Sequence, residues 1–148
     1  MKFEEYRKLD AVAMAELVKA GEVSGETLLE TAIQRAEAVN GQLNALIHPL
    51  YEHARRQLAD GVSGPLAGVP MLVKDLFQEI EGAPHYQGCK ALKSVDYRSP
   101  HDATLVRRWK AAGLVPFGRT NTPEFGSKGI TEPEAFGASR NPWDTTRT

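Results

Sequence analysis

Cysteine is nearly absent from this sequence of 148 residues, and Cys89 is the only one. No internal disulfide can form, and a zinc site built on cysteine thiolates is excluded. That scarcity favours a reducing compartment. Neither sign of charge is in excess. Eighteen Lys and Arg against nineteen Asp and Glu give a formal net charge of -1. Nothing electrostatic therefore calls for nucleic acid or an anionic membrane as partner. The densest basic cluster, Arg107, Arg108 and Lys110, shares its segment with Leu105, Val106 and Trp109 and reads as a solvated helix face. Long apolar runs are also missing, and none approaches the roughly 20 residues that span a bilayer. Met1 is followed by Lys2-Phe3-Glu4-Glu5-Tyr6-Arg7, with carboxylates where a signal peptide needs its apolar stretch. The expectation is a soluble, cytoplasmic chain.

Length allows one domain with a real core, and 41% apolar with 25% charged residues is globular composition. Asp10 to Ala20 reads as a helix with Asp10 as its N-cap and Gly21 as its stop. Ser24 caps a second helix in which Leu28, Leu29, Ala32, Ile33, Ala36 and Val39 recur at helical spacing, ended by Asn40-Gly41. A short strand over Leu43–Ile47 and a helix over Glu52–Asp60 follow. Gly61 to Gly68 is turn-rich and leads into an apolar stretch, Val69 to Val73, that ends on Lys74-Asp75. Residues 82–101 show no period and read as a long loop. Asp102 is expected to cap a helix with Leu105, Val106, Trp109 and Ala112 on one face, closed by Gly113. Leu114–Gly118 follows as a strand. Strands separated by helices predict an α/β layered domain. Residues 1–60 are mainly helical, and 61–148 form a strand–loop–helix segment.

Lys74 is the first candidate for chemistry. A lysine directly after Met71-Leu72-Val73 is expected to be buried, and burial disfavours the charged form, as a lysine base requires. The alternative is that Asp75 or another carboxylate simply pairs with it. His48, His53, His85 and His101 lack metal-ligand spacing and read as surface or capping residues. Trp109 and Trp143 read as core and packing residues.

Several ordered blocks resemble the amidase-signature family. Gly64-Pro65-Leu66-Ala67-Gly68-Val69-Pro70-Met71-Leu72-Val73-Lys74-Asp75 is similar to its G-P-L-x-G-[IV]-P-x-x-[VL]-K-D block. His101-Asp102-Ala103-Thr104-Leu105-Val106 and Ala111-Ala112-Gly113 continue the resemblance. Gly118-Arg119-Thr120-Asn121-Thr122-Pro123-Glu124-Phe125 resembles G-[KR]-T-N-x-x-E-F, and Phe136-Gly137-Ala138-Ser139-Arg140-Asn141-Pro142-Trp143 resembles F-G-x-x-x-N-P-W.

The resemblance implies the N-terminal part of an α/β/α fold with a mixed central sheet, residues 1–148 belonging to a single amidase domain. It implies hydrolysis of carboxamide C–N bonds by a Ser–cis-Ser–Lys mechanism, a variant of nucleophilic acyl transfer. Lys74 inherits the general-base role. The bridging serine belongs to a G-G-S-S-G-G loop expected shortly after N-P-W, and the nucleophile to a later G-x-x-x-G-G-S stretch. Both are expected beyond Thr148, which leaves the chain catalytically incomplete by itself. Gly126 and Ser127 follow the E-F element where relatives form part of the substrate pocket, although Ser127 also has its own backbone to satisfy. Tyr86-Gln87-Gly88-Cys89 departs from the family's T-x-G-S stretch, and Cys89 is not read as a catalytic thiol.

Thr131 to Phe136 resembles the branch with cyclic-dimer (nylon-oligomer) amide hydrolases more than the A-type subunits of tRNA-dependent amidotransferases. The implied partner is a small-molecule amide, with no cofactor and no metal; a homo-oligomer is left open. The other readings are a non-catalytic remnant that serves as a binding module, and part of an amidotransferase A-type subunit.

Overall fold

In a computed structural model that describes residues 1–148, helices α1 (Phe3–Tyr6), α2 (Ala11–Lys19) and α3 (Gly25–Leu43) precede strand β1 (Leu46–Pro49). Then come α4 (Tyr51–Ala59), β2 (Pro70–Lys74), α5 (Lys90–Ser94), α6 (Thr104–Ala111) and β3 (Val115–Thr120). A single 3₁₀ turn, Glu124–Gly126, follows. The sheet runs in the order β1-β3-β2, with β1 antiparallel and β2 parallel to β3. The expected mixed α/β architecture is therefore present.

Asp10 accepts the Ala13 N–H and Ser24 accepts that of Thr27, so both helix starts are capped as anticipated. The end of α3 is not where Asn40-Gly41 suggested. Asn40 spends its side chain outside the helix, accepting the Leu46 N–H at 2.7 Å and donating to the Leu46 carbonyl at 2.8 Å. The helix runs on to Leu43 and closes on Asn44 in the left-handed region, φ 48°. Strand β1 accordingly starts at Leu46 rather than Leu43.

Asp102 is not the cap of α6; Ala103 occupies that position. Its carboxylate instead accepts the Glu81 N–H at 2.8 Å and pairs with Lys110 at 2.7 Å, two partners from distant sequence. Leu105 is exposed rather than on the packed face, which Val106 and Trp109 form. The loop over 82–101 contains the short helix α5 and an isolated bridge between Pro84 and Arg98. Trp143 does not pack: 95% of it is exposed.

Three apolar clusters hold these elements. Leu29, Ala32, Ile33 and Ala54 seal α3 and α4 against Val115 and Phe117 of β3. Val73, Leu50, Ile80, Ala83 and Val106 join β2 to α6 and the segment after β2. Met14, Ala15, Leu28 and Val69 bring α2 and α3 to the start of β2. The turn-rich segment is fixed by close approach. Leu66 and Gly68 donate to the carbonyls of Ala112 and Gly113, and a Cβ at Gly113 (φ 90°) would lie 2.5 Å from the Ala67 Cα. Only glycine fits there. That contact aligns β2 with β3 so that Lys74 and Thr120 end the two parallel strands side by side.

Candidate active site

Lys74 is the last residue of β2, an outer strand of the sheet, and its side chain is exposed rather than buried. Burial failed as an expectation because strand alternation turns Lys74 away from the side on which Val73 and Asp75 are buried. The amine is nevertheless held, because Nζ donates to the main-chain carbonyl of Asn121 at 3.0 Å. Asn121 is itself buried and fully engaged. Its N–H donates to the Ala45 carbonyl, its Nδ2 to Gly137 and to Ser139 Oγ, and its Oδ1 accepts the Thr122 N–H. Asn44 and Ser139 extend the lattice: Asn44 Nδ2 donates to the Phe136 carbonyl at 2.8 Å, and Ser139 Oγ donates to the Asn44 carbonyl at 2.7 Å. Two blocks distant in sequence, 118–125 and 136–139, thus fix one acceptor for the lysine.

Asp75 does not pair with Lys74. Strand alternation sends it to the other side, where it is wholly buried and faces Arg119 at 3.6 Å. The Tyr86 N–H reaches both carboxylate oxygens, at 3.2 and 3.3 Å. Gln87 and Gly88, whose amides lie on the side of this carboxylate, take positive φ of 52° and 69°. Burial pushes the Asp75 carboxyl up to about 6, while Arg119 and these three amides pull it down. It is ionised at neutral pH beside a guanidinium.

Arg119 is fully buried in β3. Its Nη1 donates to the Lys74 carbonyl at 3.2 Å and its Nη2 to the Gln78 carbonyl at 2.6 Å. The guanidinium therefore brackets the turn leaving Lys74. This cluster was missed in sequence. The available signal was an arginine directly after the apolar run Val115 to Gly118, since a charge that continues a buried strand needs a buried partner.

The histidines need the same correction. His48 and His85 are buried, not on the surface. His48 Nε2 lies 3.9 Å from Asp75 Oδ2, and its ring meets Tyr86 and Phe136 edge-on at 4.6 and 5.3 Å. His85 has no hydrogen-bond partner at either ring nitrogen and sits 4.0 Å from Glu79. Burial first, and then the Arg119 charge, push both imidazoles down to about 4, so both are neutral at pH 7. Tyr86 donates its hydroxyl to Asp96; burial and that carboxylate push the phenol up to about 12.

Gly126 and Ser127 are exposed at the 3₁₀ turn. Phe125 anchors the turn by donating its N–H to the Gln87 carbonyl, and a Cβ at Gly126 would lie 2.8 Å from Leu76 Cδ2. The turn therefore leans on the segment that leaves Lys74. Ser127 Oγ donates to the Glu124 carbonyl at 2.8 Å, the local bond weighed for it in sequence. Cys89 is buried at the start of α5. No three His, Cys, Asp or Glu side chains gather as a metal-binding group, and no helix is long and apolar enough to cross a membrane. A cleft lined by Tyr51, His53, Arg56, Glu81 and Arg98 does not include Lys74.

Comparison with known proteins places this arrangement. The chain is 51% identical over 138 residues to 6-aminohexanoate-cyclic-dimer hydrolase of Paenarthrobacter ureafaciens, covering 93% of this chain and 28% of that protein. It is 40% identical over 145 residues to the A-type subunit of the glutamyl-tRNA(Gln) amidotransferase of Salinispora tropica, covering 93% of this chain and 29% of that protein. A solved structure of 6-aminohexanoate cyclic dimer hydrolase complexed with substrate superposes with a TM-score of 0.88 at 50% identity, over 93% of this chain and 28% of that one. The chain thus spans under a third of the length of the relatives it matches. The amidase family profile matches residues 27–148, and the chain belongs to the amidase family.

Proposed function

We propose that this chain is the lysine-bearing, N-terminal part of a single amidase domain that hydrolyses a small-molecule carboxamide. Lys74 is its general base. The observation that carries this reading is the mounting of Lys74 at the end of β2, with Nζ held at 3.0 Å by a carbonyl and no carboxylate paired to it. An amine bound this way keeps a lone pair for proton transfer once its surroundings are dry, which a salt-bridged ammonium would not. Sequence beyond Thr148 supplies the bridging serine, the nucleophilic serine and the cover over Lys74. Gly126 and Ser127, on the turn that leans against Leu76, face the substrate.

The test uses the chain alone and a fusion of residues 1–148 to the remaining C-terminal part of the Paenarthrobacter ureafaciens hydrolase. The chain alone is expected to release no product from simple amides above background. The fusion is expected to hydrolyse the 6-aminohexanoate cyclic dimer, and Lys74→Ala in the fusion to abolish that activity. Turnover by the chain alone that disappears in Lys74→Ala would overturn the incompleteness; an active fusion indifferent to Lys74→Ala would overturn the base assignment.

A further inference from the structure

We infer that Arg119 and Asp75 are positioning residues for Lys74, a buried ion pair that fixes the main chain on which the lysine stands. The inference rests on the reading of Lys74 as the base. Three observations carry it. Arg119 donates to the carbonyl of Lys74 itself and, across the turn, to the carbonyl of Gln78, so one planar fork sets the exit of β2. Asp75, the residue next to Lys74, orients that fork from 3.6 Å. The same carboxylate accepts the Tyr86 N–H from the loop in which the Gln87 carbonyl in turn receives the Phe125 N–H. A Cβ at Gly88 would lie 2.7 Å from the Thr122 carbonyl, so this loop is pressed on the segment carrying Asn121, the acceptor of Lys74 Nζ.

Lys74 is therefore held at both ends by one connected network. Its backbone is gripped by Arg119, and its amine rests on a carbonyl whose chain is packed against the loop that Asp75 organises. Neither charged group is exposed, so neither contacts a substrate; their contribution passes through Lys74. A lysine would not replace Arg119, because an ammonium is a point donor and cannot span two carbonyls and a carboxylate in one plane. Small displacements of a catalytic group carry large rate effects, so the pair is expected to appear in turnover rather than in substrate binding.

The experiment is a double-mutant cycle in the active enzyme: the native full-length protein where the coding sequence continues, otherwise the fusion described above. Arg119→Lys and Asp75→Asn are each made alone and with Lys74→Ala, and rates are expressed per folded enzyme, quantified by size exclusion and cooperative melting. The expected result is a fall in kcat of about 10- to 100-fold for either single variant, with KM within about twofold. Neither change is expected to lower the residual rate of Lys74→Ala further.

A purely structural pair would lower the fraction of folded enzyme while leaving kcat per folded enzyme intact, and that result overturns the inference. Additive losses in the Lys74→Ala background overturn it too. If neither single variant folds, the pair is a determinant of folding and the inference falls. Should Lys74→Ala alone leave kcat unchanged, the base assignment itself fails, and that outcome is distinct from the others.

Discussion

The Asp75 carboxylate and the Arg119 guanidinium face each other at 3.6 Å, and neither side chain reaches solvent. Each charge has given up its hydration and recovers it from protein: the Tyr86 amide for Asp75, two carbonyls for Arg119. Breaking such a pair from one side leaves an uncompensated buried charge, which costs about 3–5 kcal/mol. Arg119→Met is therefore expected to destabilise the chain by about that amount, read from urea midpoints at low protein concentration. Adding Asp75→Asn should cost little more, because the stranded charge is then gone. A loss below about 1 kcal/mol for Arg119→Met would show that the carboxylate is not stranded by it.

The same cluster sets an acid limb to stability, and the signs of its members differ. His48 and His85 fall from 6.5 to about 4 in the folded chain, so their neutral forms stabilise it above pH 6.5, a contribution lost as pH falls toward 4. Asp75 rises from 3.8 to about 6, so the folded chain holds that proton more tightly and gains stability as pH falls through the same window. Between about pH 4 and 6 the unfolded chain holds both histidine protons, whereas the folded chain holds only the one on Asp75. Net stability due to these groups should fall by about 1.4 kcal/mol for each pH unit of acidification. His85→Leu removes one histidine and should flatten this slope while relieving two unpartnered ring nitrogens. A slope in His85→Leu as steep as in the parent would refute the assignment.

What was legible in sequence was local or repeated as a block. Ser24 and Asp10 announced their helices because a cap needs only the next few residues. Lys74 stood out as a candidate because it closes an apolar strand inside an ordered set of motifs. Asp102 looked like a cap by the same rule, yet Glu81 and Lys110 claimed its carboxylate, and no local pattern reports partners 21 and 8 residues away. Asn40-Gly41 looked like a helix stop, but the Asn40 amide was taken by Leu46. His48, His85, Asp75 and Arg119 come from four separate segments, so their burial together is a property of topology. The exposure of Lys74 and Trp143 was illegible for a different reason: motif resemblance reports the environment of a whole domain, and this chain spans 28% of such a relative.

Gly113 offers a sharper test of how β2 is brought beside β3. It ends α6 at φ 90°, and an added Cβ would fall 2.5 Å from the Ala67 Cα and 2.7 Å from the Ala67 nitrogen. Both neighbours are backbone and cannot rotate away. Gly113→Ala should cost at least about 2 kcal/mol, from the left-handed backbone and the forced separation together. Gly41→Ala is the control. It lies inside α3 with nothing near its Cβ position, and should stabilise by about 0.5–1 kcal/mol. Equal effects of the two substitutions would mean that residues 64–68 do not dock on the end of α6.

The exposed apolar side chains predict how the chain behaves in solution. Leu72, Phe77, Phe125, Ile130 and Trp143 are all exposed, and β2 lies at the sheet margin. An outer strand flanked by exposed apolar groups is a template for pairing with another chain. The 148-residue chain is therefore expected to associate as its concentration rises, measured by light scattering across a dilution series. Phe77 is the informative substitution. It is 65% exposed and held at φ 60°, so Phe77→Asn removes apolar surface and places there a residue that tolerates the left-handed region. It should raise solubility without loss of stability. Trp143→Ser, at a side chain 95% exposed, should likewise leave the urea midpoint unchanged. A monodisperse monomer with a cooperative melt at high concentration would defeat the expectation, and would mean that the margin of β2 is self-sufficient without further chain over it.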